Sequence, residues 1–176
     1  MKIKKISLVV KAIVLQIIFI VLHYSYDWFP NNFTALCSGI NESVYQHMKI
    51  GYFSYVLFAL MEFILIRQAI HSFDRYIYAR LFSATYFPLV MMVIYLLGPL
   101  TFGHTESMLV EIIFANAALL ATSVSTLIVE GHIEASKPKV SFRVLTIALF
   151  VLSFAQFIVF TFDIPWFDIF AIPPGW

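Results

Sequence analysis

Long apolar stretches separated by short polar gaps dominate the pattern of this chain. A helix needs about 20 mostly apolar residues to cross the hydrocarbon core of a bilayer, and five stretches reach or approach that length. Because backbone polar groups in lipid must be satisfied within their own segment, each stretch is predicted to be a helix. The sequence therefore predicts an all-α bundle, a single transmembrane domain over residues 1–176. Its spans are expected at about residues 8–29, 50–70 (with the helix beginning near residue 41), 79–102, 108–129 and 144–162.

Composition agrees with this pattern. Hydrophobic residues make up 61% of the chain and charged residues 12%, and the mean hydropathy is +0.90. Such a chain has too few polar residues for a wetted surface, so a soluble domain is excluded. The net charge of +1 provides no basic field for nucleic acid. Membrane lipids are the expected partners, and no nucleic acid is expected.

The basic residues predict the orientation, because lysine and arginine are retained on the cytoplasmic side of membrane loops. If five spans alternate, ten of the eleven basic residues fall on one side, and Lys49 is the exception. We therefore expect the N-terminus inside and the C-terminus outside. The ten residues are Lys2, Lys4, Lys5, Lys11, Arg67, Arg75, Arg80, Lys137, Lys139 and Arg143.

Two ionisable residues lie near the outer end of the first span. His23 and Asp27 are four residues apart, so on a continuous helix they share a face one turn apart. A carboxylate in that position can accept a hydrogen bond from the imidazole and orient it as a metal ligand or general base. The competing interpretation is an interfacial histidine that Asp27 caps or that packs among the neighbouring tyrosines.

The densest polar segment of the chain, residues 38–49, precedes the second span. Ser38 or Asn41 is predicted to cap its helix, which places Glu42 in the first turn, where a negative charge suits the helix dipole. His47 then lies one turn after Ser43. A plain helix cap with an interfacial anchor would explain the same residues.

The start of the fourth span can complete a site with the first two. His104 and Glu111 are two turns apart there, on the outer side. Three histidines with carboxylates suit zinc, but neither an H-x-x-x-H nor an H-E-x-x-H spacing occurs. Both the metal and any cofactor therefore remain unknown from the sequence.

Carboxylates also occur towards the cytoplasmic side. Glu62 lies within the second span and is predicted to serve a proton relay or a hydrogen bond between helices. Glu130 and Glu134 fall near the end of the fourth span, where solvation in a cytoplasmic turn is expected to account for them.

The elements at residues 22–28 (LHYSYDW) and 41–49 (NESVYQHMK) resemble the signature of a family of small multi-pass bacterial and archaeal membrane proteins of unknown function. That signature reads L-H-x-x-Y-x-W followed by N-E-S-V-W-E-H-x-K. Tyr45 replaces its tryptophan, and Gln46 replaces its second glutamate. The resemblance implies a multi-pass protein of the cell membrane, here a bacterial plasma membrane, and it implies no reaction. If the family site depends on that second glutamate, this chain is an altered member.

The sequence favours an outward-facing polar pocket that binds or modifies a lipid-linked or membrane-embedded substrate. His23 or His47 is the expected general base, oriented in the case of His23 by Asp27, and Glu42 is an acid or metal ligand. The expected substrate-binding residues are Asn41, Tyr45, Lys49, which would pair with an anionic headgroup, and His104.

Two other classes of function remain open. A small transporter or proton-coupled carrier would use Glu62 as its relay and would need a polar path through the whole bilayer. An accessory subunit would pack against another membrane protein, or against a second copy, through a face of small residues left open to lipid. The place to check is the run Ala115, Ala117, Ala118, Ala121 and Ser123.

Overall fold

The computed structural model describes residues 7–103 and 107–172. Within those ranges the chain is helical and contains no strand, which confirms the all-α prediction. Five of the helices are long and apolar enough to cross a membrane, as the apolar pattern predicts. The helices are α1 (Leu8–Trp28), the short α2 (Asn32–Cys37), α3 (Val44–Ile66), α4 (Phe73–Phe102), α5 (Met108–Ala135) and α6 (Val140–Phe162).

Helix α4 is the centre of the bundle. It packs against α3, α5 and α6, while α1 packs against α3 and α5 on the other side. The buried core between the helices is rich in aromatic side chains, including Tyr52, Tyr55, Phe87 and Phe157. The outward surfaces of α1 and α6 carry exposed aliphatic residues, as expected of helices surrounded by lipid. We call the end that holds the C-terminus of α1 and the N-terminus of α3 the outer end, following the orientation predicted above.

Helix α3 begins at Val44, three residues later than predicted. Its N-cap is Ser43, whose hydroxyl accepts a hydrogen bond from the Gln46 backbone N–H at 3.3 Å. The prediction that Ser38 or Asn41 caps this helix is wrong, and Glu42 lies in the preceding loop rather than in the first turn. The reason is that the Asn41 side chain accepts from the Ser43 N–H at 3.0 Å, which stabilises a turn before the helix.

A buried cluster of charges joins four helices at the inner end. Arg80 of α4 lies 2.7 Å from Glu62 of α3 (Nη2 to Oε2) and 3.4 Å from Glu130 of α5 (Nη2 to Oε1). It also pairs with Glu134, and Lys11 of α1 pairs with Glu62. We call Lys11, Glu62, Arg80, Glu130 and Glu134 the inner cluster.

The inner cluster corrects one prediction and sharpens another. Glu130 is only 2% exposed and accepts a hydrogen bond from Tyr55, so solvation does not account for it. Helix α5 continues to Ala135 and carries Glu130 into the bundle. Glu62 makes the hydrogen bonds between helices that its position within the span predicts.

Candidate functional site

Three side chains converge at the outer end of the bundle: His23, Glu42 and His47. His23 lies in the last two turns of α1, Glu42 in the loop before α3, and His47 in the first turn of α3. The Glu42 Oε2 atom lies 3.6 Å from His23 Nε2 and 3.4 Å from His47 Nε2. The two imidazole rings meet edge to face, with their centroids 5.1 Å apart. We call these three residues the outer triad.

The outer triad is partly open to its surroundings. The side chains of His23, Glu42 and His47 retain 21%, 33% and 32% of their exposure, so one side of the group can be reached from outside the bundle. On the inner side, Phe19 packs against the His23 ring with centroids 6.3 Å apart. The outer triad is therefore a half-buried group with one accessible side.

Ser38 fastens the loop that carries Glu42 to helix α1. Its buried hydroxyl donates to the Leu22 carbonyl and accepts from the Tyr26 backbone N–H at 3.1 Å. Both partners lie within one turn of His23. The loop over residues 38–43 is thereby held against the same turn of α1 that presents the imidazole.

The His47 ring is oriented by its own helix. Its Nδ1 lies 2.9 Å from the Ser43 carbonyl oxygen. Because a carbonyl oxygen can only accept, Nδ1 carries the proton, and in the neutral imidazole Nε2 presents a lone pair. In the neutral form of His47, that lone pair faces the Glu42 carboxylate, acceptor to acceptor.

The other sequence-predicted catalytic residue lies outside the outer triad. Asp27 is exposed, and no hydrogen bond or ion pair joins it to His23 in the described part of the chain. Glu42 is the carboxylate that His23 faces, although it lies 19 positions further along the chain. In the structure, therefore, Asp27 does not orient His23 as predicted.

The predicted substrate-binding residues have separate surroundings. Tyr45 is buried and donates to the Gln156 carbonyl at 2.9 Å. Lys49 is 0% exposed and donates to the Ala35 carbonyl at 2.6 Å and to the Thr161 hydroxyl at 3.1 Å. Asn41 holds the turn before α3. His104 lies outside the described residues. None of the three described residues belongs to the outer triad, and their substrate-binding role stays a prediction.

Gln46, which replaces a glutamate of the resembled signature, is also directed into the bundle. It is buried, and its Oε1 lies 3.5 Å from the Ile40 backbone N–H. The outer triad is therefore complete without a carboxylate at position 46.

Cys37 at the end of α2 is the one cysteine of the chain. Burial raises the pKa of its thiol above the ordinary value, and nearby Lys49 only partly offsets this. Since a thiol binds metal or attacks an electrophile as the thiolate, the Cys37 sulfur is poorly suited to either role at neutral pH.

Sequence reasoning found the outer triad residues but missed what positions them. In the sequence, Ser38 is one of three neighbouring residues that can cap a helix, and nothing distinguishes it from the other two. Its contact with α1 joins residues 16 positions apart. The inner cluster was missed for the same reason, because its pairs join residues up to 119 positions apart.

The fold and the site together define a multi-pass membrane protein with a histidine and glutamate cluster at one end. No protein-family model, curated protein or solved structure matches the chain. The function is therefore inferred from the geometry of the site.

Proposed function

We propose that this protein works at the outer face of a bacterial plasma membrane, on the polar head of a lipid-linked or membrane-embedded substrate. The observation that carries the proposal is the convergence of His23, Glu42 and His47 at the outer end, with one side accessible. The resemblance to the multi-pass family supports it, because these three residues are shared with that signature. We propose membership of that family on the same ground.

A substrate anchored in the lipid can reach the outer triad along helix α1. Val21, Tyr24 and Trp28 are exposed on its surface, next to His23 in sequence. Tyrosine and tryptophan are the residues favoured where hydrocarbon meets headgroups, so this part of α1 is suited to the level of the lipid heads. A tail would lie against α1 while the head meets the imidazoles.

The chemical role that we assign to the outer triad is proton transfer. His47 Nε2 presents a lone pair, and imidazole is the side chain whose unperturbed pKa best suits a general base near neutral pH. Glu42 faces both imidazoles and can stabilise whichever becomes protonated. His23 completes the group from α1.

The packing below the outer triad disfavours a transporter. The core between the outer triad and the inner cluster holds buried hydroxyls such as those of Ser54 and Thr122 as well as large apolar side chains, and a polar path through the bilayer would have to cross those apolar side chains. They include Phe19 of α1, Met48 of α3, Phe87 and Met91 of α4, and Leu119 of α5.

The small residues of α5 give little support to an accessory subunit. Ala118 and Ser123 are buried inside the bundle, whereas Ala117 and Ala121 are exposed. The run is thus divided between the core and the lipid-facing surface. A membrane-protein partner or a second copy stays a proposal without a particular surface.

Photo-crosslinking tests the proposed function. The purified protein in nanodiscs is irradiated with diazirine-bearing phosphatidic acid, diacylglycerol or polyprenyl phosphate, and crosslinked peptides are mapped by mass spectrometry. We expect at least one lipid to label residues 21–28 or 42–47, and His47→Ala to reduce that labelling about fivefold or more. His132→Ala is the matched control, because His132 makes the same contact to a carbonyl four residues earlier (Nδ1 to Ile128 O, 2.8 Å) at the inner end. Equal labelling of the wild type and His47→Ala would overturn the proposal.

A further inference from the structure

We infer that His23, Glu42 and His47 hold a divalent transition-metal ion of the zinc type, with one coordination position open on the accessible side. The inference rests on the proposed function and changes the base in it: the lone pairs of His23 and His47 would hold the ion, and the metal-bound water, rather than an imidazole, would take part in the proton transfer. The metal site can nevertheless be tested without any lipid substrate.

The two distances from Glu42 to the imidazoles are close to the edges of a tetrahedral metal site. Ligands about 2.0–2.1 Å from a tetrahedral ion lie about 3.3–3.4 Å from one another. Glu42 Oε2 lies 3.4 Å from His47 Nε2 and 3.6 Å from His23 Nε2. One ligand atom from each of the three residues lies within 4.8 Å of the others. Small side-chain rotations would bring all three to one ion.

Hydrogen bonding accounts for the same group less well. Donor and acceptor atoms in good hydrogen bonds are about 2.7–3.2 Å apart, which is shorter than both contacts of Glu42. Moreover, neutral His47 cannot donate from Nε2, because its proton is held at Nδ1 by the Ser43 carbonyl. In neutral His47, the Nε2 lone pair therefore faces the Glu42 carboxylate with no proton between them, which is an arrangement that a cation stabilises.

Within the described residues, the outer end offers no free lysine or arginine to fill that role. Lys49 is the one basic residue predicted on this side, and its ammonium group is buried against Ala35 and Thr161. The inner cluster differs, because its carboxylates already pair with Lys11 and Arg80. Within the described residues, Glu42 is therefore the carboxylate beside imidazole rings whose negative charge an ion would neutralise.

The ligand types select the class of ion. Imidazole nitrogen suits zinc and its neighbours in the first transition series, whereas magnesium and calcium prefer oxygen. Two histidines and one glutamate with an open fourth position form a ligand set of catalytic zinc sites, and structural zinc sites are closed by four protein ligands. The exposure of all three side chains leaves room for that open position.

Two of the three ligands, His47 and Glu42, have surroundings typical of a metal site. A histidine ligand usually donates its second ring N–H to a carbonyl or carboxylate, which fixes the tautomer and the ring. The Ser43 carbonyl does this for His47. Ser38 fixes the Glu42 loop against the turn of α1 that carries His23.

Metal titration of the purified full-length protein tests the inference. After treatment with a chelator, the protein is titrated with Zn²⁺ by calorimetry and with Co²⁺ by visible absorption, and Mg²⁺ serves as the comparison ion. We expect about one equivalent of Zn²⁺ or Co²⁺, a four-coordinate Co²⁺ spectrum, and weak Mg²⁺ binding. His47→Ala, His23→Ala and Glu42→Gln should each weaken binding about 100-fold or more, since loss of an outer-shell partner alone costs 10–100-fold.

His132→Ala is the control for the titration, because it removes an exposed histidine with the same local contact. Thermal unfolding of each variant without metal shows whether it is folded. If an alanine variant is not folded, Glu42→Gln still tests the site, because it keeps the shape of the side chain. Zinc binding that is absent, or equal in the wild type and the folded ligand variants, would overturn the inference. Metal binding without lipid crosslinks at the outer triad would support the metal site and overturn the proposed function. Lipid crosslinks without metal binding would support the proposed function and overturn the metal site.

Discussion

Lys49 shows how a single side chain can join separate elements. From α3 it reaches the Ala35 carbonyl of α2 and the Thr161 hydroxyl of α6, and it is fully buried. A lysine next to a polar segment on the outer side is readily interpreted as a headgroup ligand. Its surroundings in the bundle instead favour a structural role.

The substitution Lys49→Met is expected to lower stability without affecting the outer triad. It keeps most of the apolar stem but removes the donor to the Ala35 carbonyl and to the Thr161 oxygen, at a cost of about 1–3 kcal/mol. Thermal unfolding in detergent measures the loss, and Lys139→Met, at an exposed position, is the control. A Lys49→Met variant that keeps wild-type stability and loses lipid crosslinking would instead support the headgroup role.

At the residue scale, the sequence indicated His23, His47 and Glu42, but it paired His23 with Asp27 rather than with Glu42. Asp27 is one turn from His23 in sequence, and that spacing is all that a single sequence can show. Glu42 reaches His23 only because the loop folds back onto α1. Contacts between residues far apart in the chain produce no regular spacing that a single sequence would show.

At the scale of elements, the loop over residues 38–43 decides whether a site exists. Three residues in it have side chains that cap helices, namely Ser38, Asn41 and Ser43, and sequence alone cannot choose among them. Ser43 caps α3, Asn41 holds the turn, and Ser38 is used for a tertiary contact. These three different roles determine where helix α3 begins, and hence where the Glu42 side chain lies.

The substitution Ser38→Ala is expected to loosen this loop. Loss of the hydroxyl removes the link between the loop and the Tyr26 N–H and Leu22 carbonyl, lowers stability by about 1 kcal/mol, and weakens zinc binding about 10-fold. Ser25→Ala is the matched control, because the Ser25 hydroxyl also donates to the Leu22 carbonyl, at 2.9 Å, but does not touch the loop. Metal titration and thermal unfolding of both variants make the comparison. Equal zinc affinity for the two variants would show that the loop is held by other contacts.

The five spanning helices were predictable because apolar length is a local property of the chain. The ends of these helices were less predictable. Helices α4 and α5 extend beyond the predicted spans to residues 73 and 135, and the added turns carry charged residues that hydropathy excludes from a span. Glu130 and Glu134 can be there because both pair with Arg80.

At the scale of the whole molecule, the inner cluster is the contact that joins α1, α3, α4 and α5. Arg80 is its centre: it pairs with three carboxylates and lies over the Tyr76 ring, 3.8 Å from its centroid. Removing one partner of a buried ion pair is strongly destabilising, because the remaining charge has no compensation.

The substitution Arg80→Leu is therefore expected to destabilise the bundle by about 3–5 kcal/mol. Arg143→Leu is the control, since the Arg143 pair with Asp74 is partly exposed and such pairs contribute about 0–1 kcal/mol. The yield of folded protein and the unfolding midpoint in detergent measure both effects. Similar losses for the two variants would show that the inner cluster adds nothing beyond a surface pair.

The division of the polar groups between two ends has a consequence for the order of synthesis. The outer triad needs only α1, α3 and the loop between them, all of which are made within the first 66 residues. The inner cluster needs Glu130, which is made only when α5 is nearly complete. A nascent chain would thus bring the outer triad together first, and the late arrival of α5 would complete the inner cluster.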